Sequence, residues 1–164
     1  MNINEIAEEV ASHQTKWVLT TGGEPLSQKN CLKLVERLNQ NGKNISIETS
    51  GEISIEQYAG LAKIIMDVKT PSSEETATVC FDNFKYLLPT DEIKFVIQDE
   101  KDYEFAKNVC AIYALEERFT VLFSPVFDVL SLKQMSEWIL RDKLNVRMQT
   151  QLHKYIWGKN VHGV

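Results

Sequence analysis

A pair of glycines followed by a glutamate is the first feature of this sequence that could bind a ligand. Residues 20–25 read TTGGEP and lie between an apolar run at residues 17–19 and an amphipathic stretch. Glycine allows positive φ and close approach of a ligand, so exposed carbonyl groups can accept hydrogen bonds from an ammonium group. Glu24 can add a charge-assisted hydrogen bond. The segment fits a cationic or amine-bearing ligand; a tight turn with a solvated glutamate is the alternative.

Polar residues also follow three later apolar stretches. Glu48 ends the run ISIET, and its two oxygens suit the paired N–H donors of a guanidine-like heterocycle, although a surface glutamate would have the same pattern. Asp67 and Lys69 share one face of the next predicted strand, as an ion pair or as part of a ligand site. His153 follows the last predicted strand and is either a site residue or a packing residue. Because ligands of α/β proteins bind beyond the carboxyl ends of the strands, these positions together predict a binding rim.

The three cysteines do not form a metal-ligand pattern. Cys31, Cys80 and Cys110 are far apart, form no CxxC pair and have no neighbouring histidine. We therefore predict that each is a small buried apolar residue rather than a ligand or half of a disulfide. No metal site is predicted.

The elements that must position these residues follow from the apolar periodicity. Helical spacing predicts helices over residues 3–10 and 31–38, with Gly42 ending the second, and Ser54 with Gln57 predicts a capping box for a short helix. The predicted strands are residues 17–19, 45–49, 63–69, 92–98, 120–126 and 145–151, and later helices are residues 102–115 and 132–142, with a helix or turn at 81–88. Alternating strands and helices, with strands apolar on both faces, predict an α/β fold with about six mainly parallel strands.

Length and composition exclude several classes of protein. A chain of 164 residues with 43% hydrophobic residues and no linker-like segment predicts a single domain over residues 1–164. The formal net charge of -5 and the lack of a basic stripe argue against a nucleic-acid binder. No apolar run approaches the length of a membrane span, and the first residues do not resemble a leader peptide, so we expect a cytoplasmic protein.

Six motifs in order resemble those of one enzyme family. TGGEP, IETSG, MDVKTPSS, DEIKFVI, FSPV and LNVRMQTQLHKYIW are similar to motifs of the 7-carboxy-7-deazaguanine synthases, which are radical S-adenosylmethionine (SAM) lyases of queuosine and 7-deazapurine biosynthesis. The resemblance spans residues 3–157. It implies a partial (β/α) barrel of the radical SAM type, with SAM, a 4Fe-4S cluster and magnesium as family cofactors. The reaction it implies is ring contraction of 6-carboxy-5,6,7,8-tetrahydropterin with loss of ammonia.

The resemblance also implies two sets of site residues. The residues that would contact SAM are Gly22, Gly23, Glu24, Ser50, Asp67 and Lys69, with the first three receiving its amino group. The residues that would line the substrate pocket are Thr21, Glu48 and His153. Glu48 would bind the pterin edge, while Leu152 stands where the QxHK motif of the family commonly has threonine.

The sequence departs from the family in its cysteines. Family members hold the cluster with three cysteines in a CxxxCxxC loop, or an expanded version of it, after the first barrel strand, and this chain has no such triad. We expect an amino-terminally shortened member that lacks the first strand, the cluster loop and the neighbouring magnesium-binding threonine. We expect no synthase activity from this chain alone and weak SAM binding at best.

Two consequences and two alternatives follow from this interpretation. A missing first strand would leave residues 17–21 as an exposed edge, which predicts a homodimer; a monomer in light scattering with that edge covered by residues 3–14 would count against it. A cluster-free module that binds purine-like or pterin-like ligands through Glu48 and His153 is one alternative function. A folded but inactive remnant is the other.

Overall fold

The computed structural model describes residues 2–73, 79–158 and 161. The chain divides into two compact units, the first comprising residues 1–67 and 78–92 and the second residues 68–77 and 93–164. None of the helices among the described residues has the length and apolar character needed to cross a membrane.

The first unit is built on three parallel strands with two helices. Its helices and strands are α1 (Ile3–Ser12), β1 (Trp17–Thr20), α2 (Cys31–Gln40), β2 (Asn44–Thr49) and β3 (Lys63–Val68). The strand order is β1-β2-β3, so β1 is an edge strand. Both pairings are parallel, with Thr20 opposite Ile47 and Glu48 opposite Ile65. The parallel pairing brings the carboxyl ends of the three strands to the same edge of the sheet.

The core of the first unit follows the predicted apolar stripes. α2 buries Cys31, Val35 and Leu38 at the predicted helical spacing, and it contacts β2. α1 buries only Ala7, because it lies at the surface against α2. A capping box between Asn2 and Glu5 satisfies its first backbone N–H groups.

The second unit contains the remaining strands and helices. They are β4 (Glu92–Ile97), α3 (Glu100–Tyr113), α4 (Leu115–Arg118), β5 (Thr120–Pro125), α5 (Leu132–Asp142), β6 (Arg147–Met148) and α6 (Leu152–Trp157). The strand order is β4-β5-β6, and β6 pairs parallel to β5. Phe123 lies at the centre of the core, with its ring centroid 5.7 Å from that of Phe95 and 5.9 Å from that of Tyr103.

Six strands alternating with helices confirm the predicted α/β class, but three local predictions are wrong. Ser54 and Gln57 do not form a capping box: a 3-10 turn runs over Glu56–Tyr58, and the Ser54 hydroxyl accepts from the N–H of Glu56 instead. The strand predicted at residues 145–151 is only the two residues of β6. The helix predicted at 102–115 is interrupted at Ala114, whose left-handed φ of 50° separates α3 from α4.

Candidate ligand-binding site

The loop after β1 presents open backbone. Gly22 and Gly23 have φ angles of +96° and +57°, which side-chain-bearing residues rarely adopt. A Cβ atom built on either residue would meet no heavy atom within 4 Å. Both residues are exposed, as is Thr21. The space beside these two glycines is therefore accessible to a ligand.

The carboxylate of Glu24 turns away from this open space and binds the loop after β2. Its Oε2 accepts hydrogen bonds from the backbone N–H of Ser50 at 2.8 Å and from the Ser50 hydroxyl at 2.6 Å. The Thr49 hydroxyl lies 2.8 and 2.9 Å from its two oxygens, and Oε1 also accepts from the N–H of Leu26 at 2.9 Å. Glu24 thus joins the TGGEP loop to the ETSG loop, and its acceptor sites are largely occupied within the protein.

These contacts set the acidity of Glu24. Partial burial acts to raise the pKa of its carboxyl group, but hydrogen bonds from Ser50, Leu26 and Thr49 outweigh burial and hold the pKa below the ordinary value of 4.5. The ionised form is therefore the form that holds the two loops together.

We expect a pH-dependent contribution of Glu24 to stability. Since the pKa is lower in the folded chain than in the unfolded chain, the contribution is complete above about pH 4.5 and is lost as pH falls through the folded pKa. Glu24→Gln should be less stable than the wild type by about 1–3 kcal/mol at neutral pH. The free energy of unfolding in urea, measured across the acidic range, should show the two proteins converging as pH falls. A difference that does not change with pH would contradict this role of the charge.

Glu48 lies on the other face of β2. Along this strand Ile45, Ile47 and Thr49 are buried, while Glu48 is half-buried, as the alternation of side chains across a strand requires. The hydroxyl of Thr21 lies 3.5 Å from Oε2 of Glu48. The two residues that the family resemblance assigns to the substrate pocket in this unit are therefore neighbours, on the opposite side of the strand from Thr49.

Asp67 shares the face of Glu48. Glu48 is in register with Ile65, and Asp67 follows Ile65 by two residues along β3, so the two carboxylates project from the same side of the sheet. Of the other two candidates, Lys69 comes directly after β3 and is half-buried, and His153 is the second residue of α6, also half-buried. Lys69 and His153 belong to the second unit.

Two buried polar side chains that sequence reasoning missed hold the loops after β2 and β3. Asn83, with 0% exposure, donates from Nδ2 to the carbonyls of Gly51 and Ile53 and accepts at Oδ1 from the N–H of Ile55. In the second unit, Asp102 accepts from the N–H of Ser72 at 2.9 Å. Neither residue belongs to a motif with a recognisable chemical pattern, so the sequence offered no signal for them.

Individual relatives, rather than a family model, show the family to which this chain belongs. No family model matches the chain. A 7-carboxy-7-deazaguanine synthase of Chlorobaculum tepidum is 36% identical over 167 residues, covering 100% of this chain and 76% of that protein. The 7-carboxy-7-deazaguanine synthase of Koribacter versatilis is 38% identical over 158 residues, covering 88% of this chain and 70% of that protein.

This chain belongs to the 7-carboxy-7-deazaguanine synthase family. The membership confirms the resemblance found in the ordered motifs. Among solved structures, Streptococcus suis SuiB bound to S-adenosylmethionine matches with a TM-score of 0.62 at 12% identity, covering 92% of this chain and 44% of SuiB. This chain therefore spans less than half the length of SuiB. At that identity the likeness supports the α/β fold alone.

The cysteines of this family member do not fit a 4Fe-4S cluster. Cys31 lies at the start of α2 and Cys110 within α3; both are buried, whereas Cys80 is only half-buried and does not meet the prediction of a buried residue. Burial raises the pKa of the Cys31 thiol, and burial raises that of Cys110 to about 12, which disfavours the thiolate that binds iron. Among residues 2–73, 79–158 and 161, no group of three or more His, Cys, Asp or Glu side chains could hold a metal ion.

Proposed function

We propose that this chain carries part of the SAM site and part of the pterin site of a 7-carboxy-7-deazaguanine synthase. The observation that supports this most directly is the connection of the TGGEP and ETSG loops through Glu24. The connection holds an open glycine backbone and the hydroxyl of Ser50 together at the carboxyl ends of β1 and β2. Such an edge is where parallel α/β sheets bind ligands.

In this proposal the backbone and Ser50, rather than the Glu24 carboxylate, receive the amino group of SAM. The carbonyl groups around Gly22 and Gly23 border open space and can accept hydrogen bonds from an ammonium group. The Ser50 hydroxyl donates its proton to Glu24, which leaves its oxygen lone pairs available to a ligand. Glu24 acts through the loop that it holds and supplies negative charge nearby.

The pterin would bind beside Glu48, on the face of β2 that is turned away from the side chain of Thr49. The carboxylate of Glu48 has acceptor oxygens suited to the paired N–H donors of a pterin edge, and Thr21 lies beside it. Asp67 shares this face. The assignments of Asp67 and Lys69 to SAM and of His153 to the substrate pocket rest on the family resemblance alone. The proposed use of magnesium rests on the same resemblance.

In the family, a 4Fe-4S cluster would supply the electron that cleaves SAM, and the cysteines of this chain do not fit such a cluster. The chain's own residues are proposed to bind and orient the two small molecules.

A homodimer through β1 is also part of the proposal, because the unpaired backbone groups of an edge strand favour pairing with a second copy.

A cluster-free binding module for purine-like or pterin-like ligands is a second candidate function. The pairing of Thr21 with Glu48 favours it, because neither residue depends on iron for its position. This candidate requires tight ligand binding by iron-free protein. The synthase-type proposal requires only weak binding in that state, because the cluster normally anchors SAM.

Glu48→Gln tests the role of Glu48 in either case. The substitution replaces one acceptor oxygen and removes the charge, so we expect the affinity for 6-carboxypterin to fall about 10- to 100-fold. Isothermal titration calorimetry on iron-free protein measures the affinity. Glu56→Gln is the matched control, because Glu56 is exposed on a separate 3-10 turn and loses the same charge.

The outcomes of this titration separate the candidates. Equal affinities of wild type and Glu48→Gln would contradict the assignment of Glu48. Tight binding of 6-carboxypterin or guanine by the iron-free wild type would favour the binding module over the synthase-type site. A wild type that binds neither SAM nor pterin at millimolar concentration would contradict both.

A further inference from the structure

Asn83 is fully buried and uses its whole side chain to bind a single loop. Its two Nδ2 protons go to the carbonyls of Gly51, at 3.0 Å, and Ile53, at 2.9 Å. Its Oδ1 accepts from the N–H of Ile55 at 3.1 Å. A primary amide has two donors and a carbonyl acceptor, and in Asn83 each of them is used on residues 51–55.

The loop that Asn83 binds begins directly after Ser50. The N–H of Gly51 donates to the Thr49 hydroxyl at 3.2 Å, and that hydroxyl contacts Glu24. The carbonyl of Gly51 accepts from both Asn83 and the N–H of Cys80. Ser50 therefore lies between two anchors, with Glu24 on one side and Asn83, acting through Gly51, on the other.

Removal of Asn83 would leave a buried backbone N–H without a partner. The N–H of Ile55 has no water-exposed alternative while Ile55 stays at 0% exposure. Buried polar groups without hydrogen bonds are unfavourable, so this loop would open toward solvent. Because Gly51 and Ser50 are consecutive, the opening would draw the donors of Ser50 away from Glu24.

We propose that Asn83 is a positioning residue for the candidate ligand site, which holds the donors of Ser50 on the carboxylate of Glu24. The side chain of Asn83 makes no hydrogen bond to Glu24 and acts through the backbone of residues 51–55. Its relevance to SAM binding rests on the function proposed above, whereas its action on Ser50 and Glu24 does not.

The matched control for Asn83 is Asp91. Asp91 is 2% exposed and also holds backbone groups, accepting from the N–H of Ile64 at 2.8 Å and of Leu88 at 2.7 Å. Ile64 lies at the amino end of β3, so Asp91 acts at the other end of the strands from Ser50. Asp91→Asn should therefore destabilise the unit without affecting the candidate site.

The experiment compares Asn83→Ala, Asn83→Asp and Asp91→Asn with the wild type. All three variants should have a lower melting temperature. In a carbon-detected NMR titration of the side-chain carboxyls, the pKa of Glu24 should rise toward its ordinary value of 4.5 in the Asn83 variants only. In an NMR titration with SAM, only the Asn83 variants should bind more weakly, by about tenfold or more.

The two proposals fail separately. An unchanged pKa of Glu24 in a folded Asn83 variant would overturn the positioning role, as would an equal rise in Asp91→Asn. If the pKa of Glu24 moves as expected but the wild type binds neither SAM nor 6-carboxypterin at millimolar concentration, the positioning role stands and the proposed function fails.

A measurement on the wild type covers the case in which the Asn83 variants do not fold. If Asn83 couples the loop to Ser50, the amide protons of Ser50 and Ile55 should exchange with solvent at the same free energy of opening under native conditions. A Ser50 amide that exchanges at a clearly different free energy from that of Ile55 would contradict the coupling.

Discussion

The 164-residue chain should form no detectable 7-carboxy-7-deazaguanine after anaerobic treatment with iron and sulfide, even when SAM, a reductant and 6-carboxy-5,6,7,8-tetrahydropterin are supplied. Radical cleavage of SAM needs an electron from a cluster held by neighbouring thiolates. Cys31 and Cys110 are buried in separate helices, and their thiols are held protonated by burial. The expected loss is complete, because no group of side chains among residues 2–73, 79–158 and 161 could hold a cluster that passes the electron to SAM. Visible absorption of the cluster, together with chromatography of the products, measures it.

The controls separate a true cluster from adventitious iron. The Chlorobaculum tepidum relative, treated in the same way, provides the positive control. A variant of this chain with all three cysteines replaced by alanine provides the background colour. Product formation by the wild-type chain, or cluster absorption that the triple variant loses, would contradict the prediction.

Gly51→Ala should cause a large loss of stability. Gly51 has a φ of +74°, and a side chain in the left-handed region costs about 1–2 kcal/mol. In addition, a Cβ at this position would collide with the side chain of Met66, which is 0% exposed, so the methionine would have to repack within the core. Overpacking of this kind costs about 1–3 kcal/mol. We therefore expect a decrease of about 2–5 kcal/mol in the free energy of unfolding in urea.

Gly42→Ala is the matched control for this substitution. Gly42 has the same φ of +74°, but a Cβ there would meet no heavy atom within 4 Å. It should therefore show the backbone cost alone, and the difference between the two variants measures the collision with Met66. Equal losses would show that Met66 yields without cost.

The lack of a cluster and the Gly51→Ala substitution would affect the candidate site in different ways. The absence of a cluster would remove the chemistry but leave the loops and their side chains in place. Gly51→Ala would instead shift the residue next to Ser50, so the hydrogen bonds between Ser50 and Glu24 should weaken along with stability. A chain that is inactive but retains these hydrogen bonds can still bind a small molecule, which is why binding and turnover have to be measured separately.

Several features of this protein were available from the sequence because they depend on neighbours along the chain. The stripe of Cys31, Val35 and Leu38 predicted a helix, and Gly42 predicted its end, because helix periodicity and positive φ are local properties. The ordered motifs predicted the family, and the relatives confirm it. The expectation that the three cysteines hold no cluster comes from their spacing along the chain and stays a prediction.

Other features required the tertiary structure. The role of Glu24 as a connection to Ser50 depends on two residues 26 positions apart that meet only after β1 and β2 pair. The contacts of Asn83 with the 51–55 loop span about thirty positions and have no periodic signal. Sequence patterns record which residues a strand or helix must bury. The partner of a polar group, in contrast, is decided by packing, because folding must provide a hydrogen bond for each group that it removes from water.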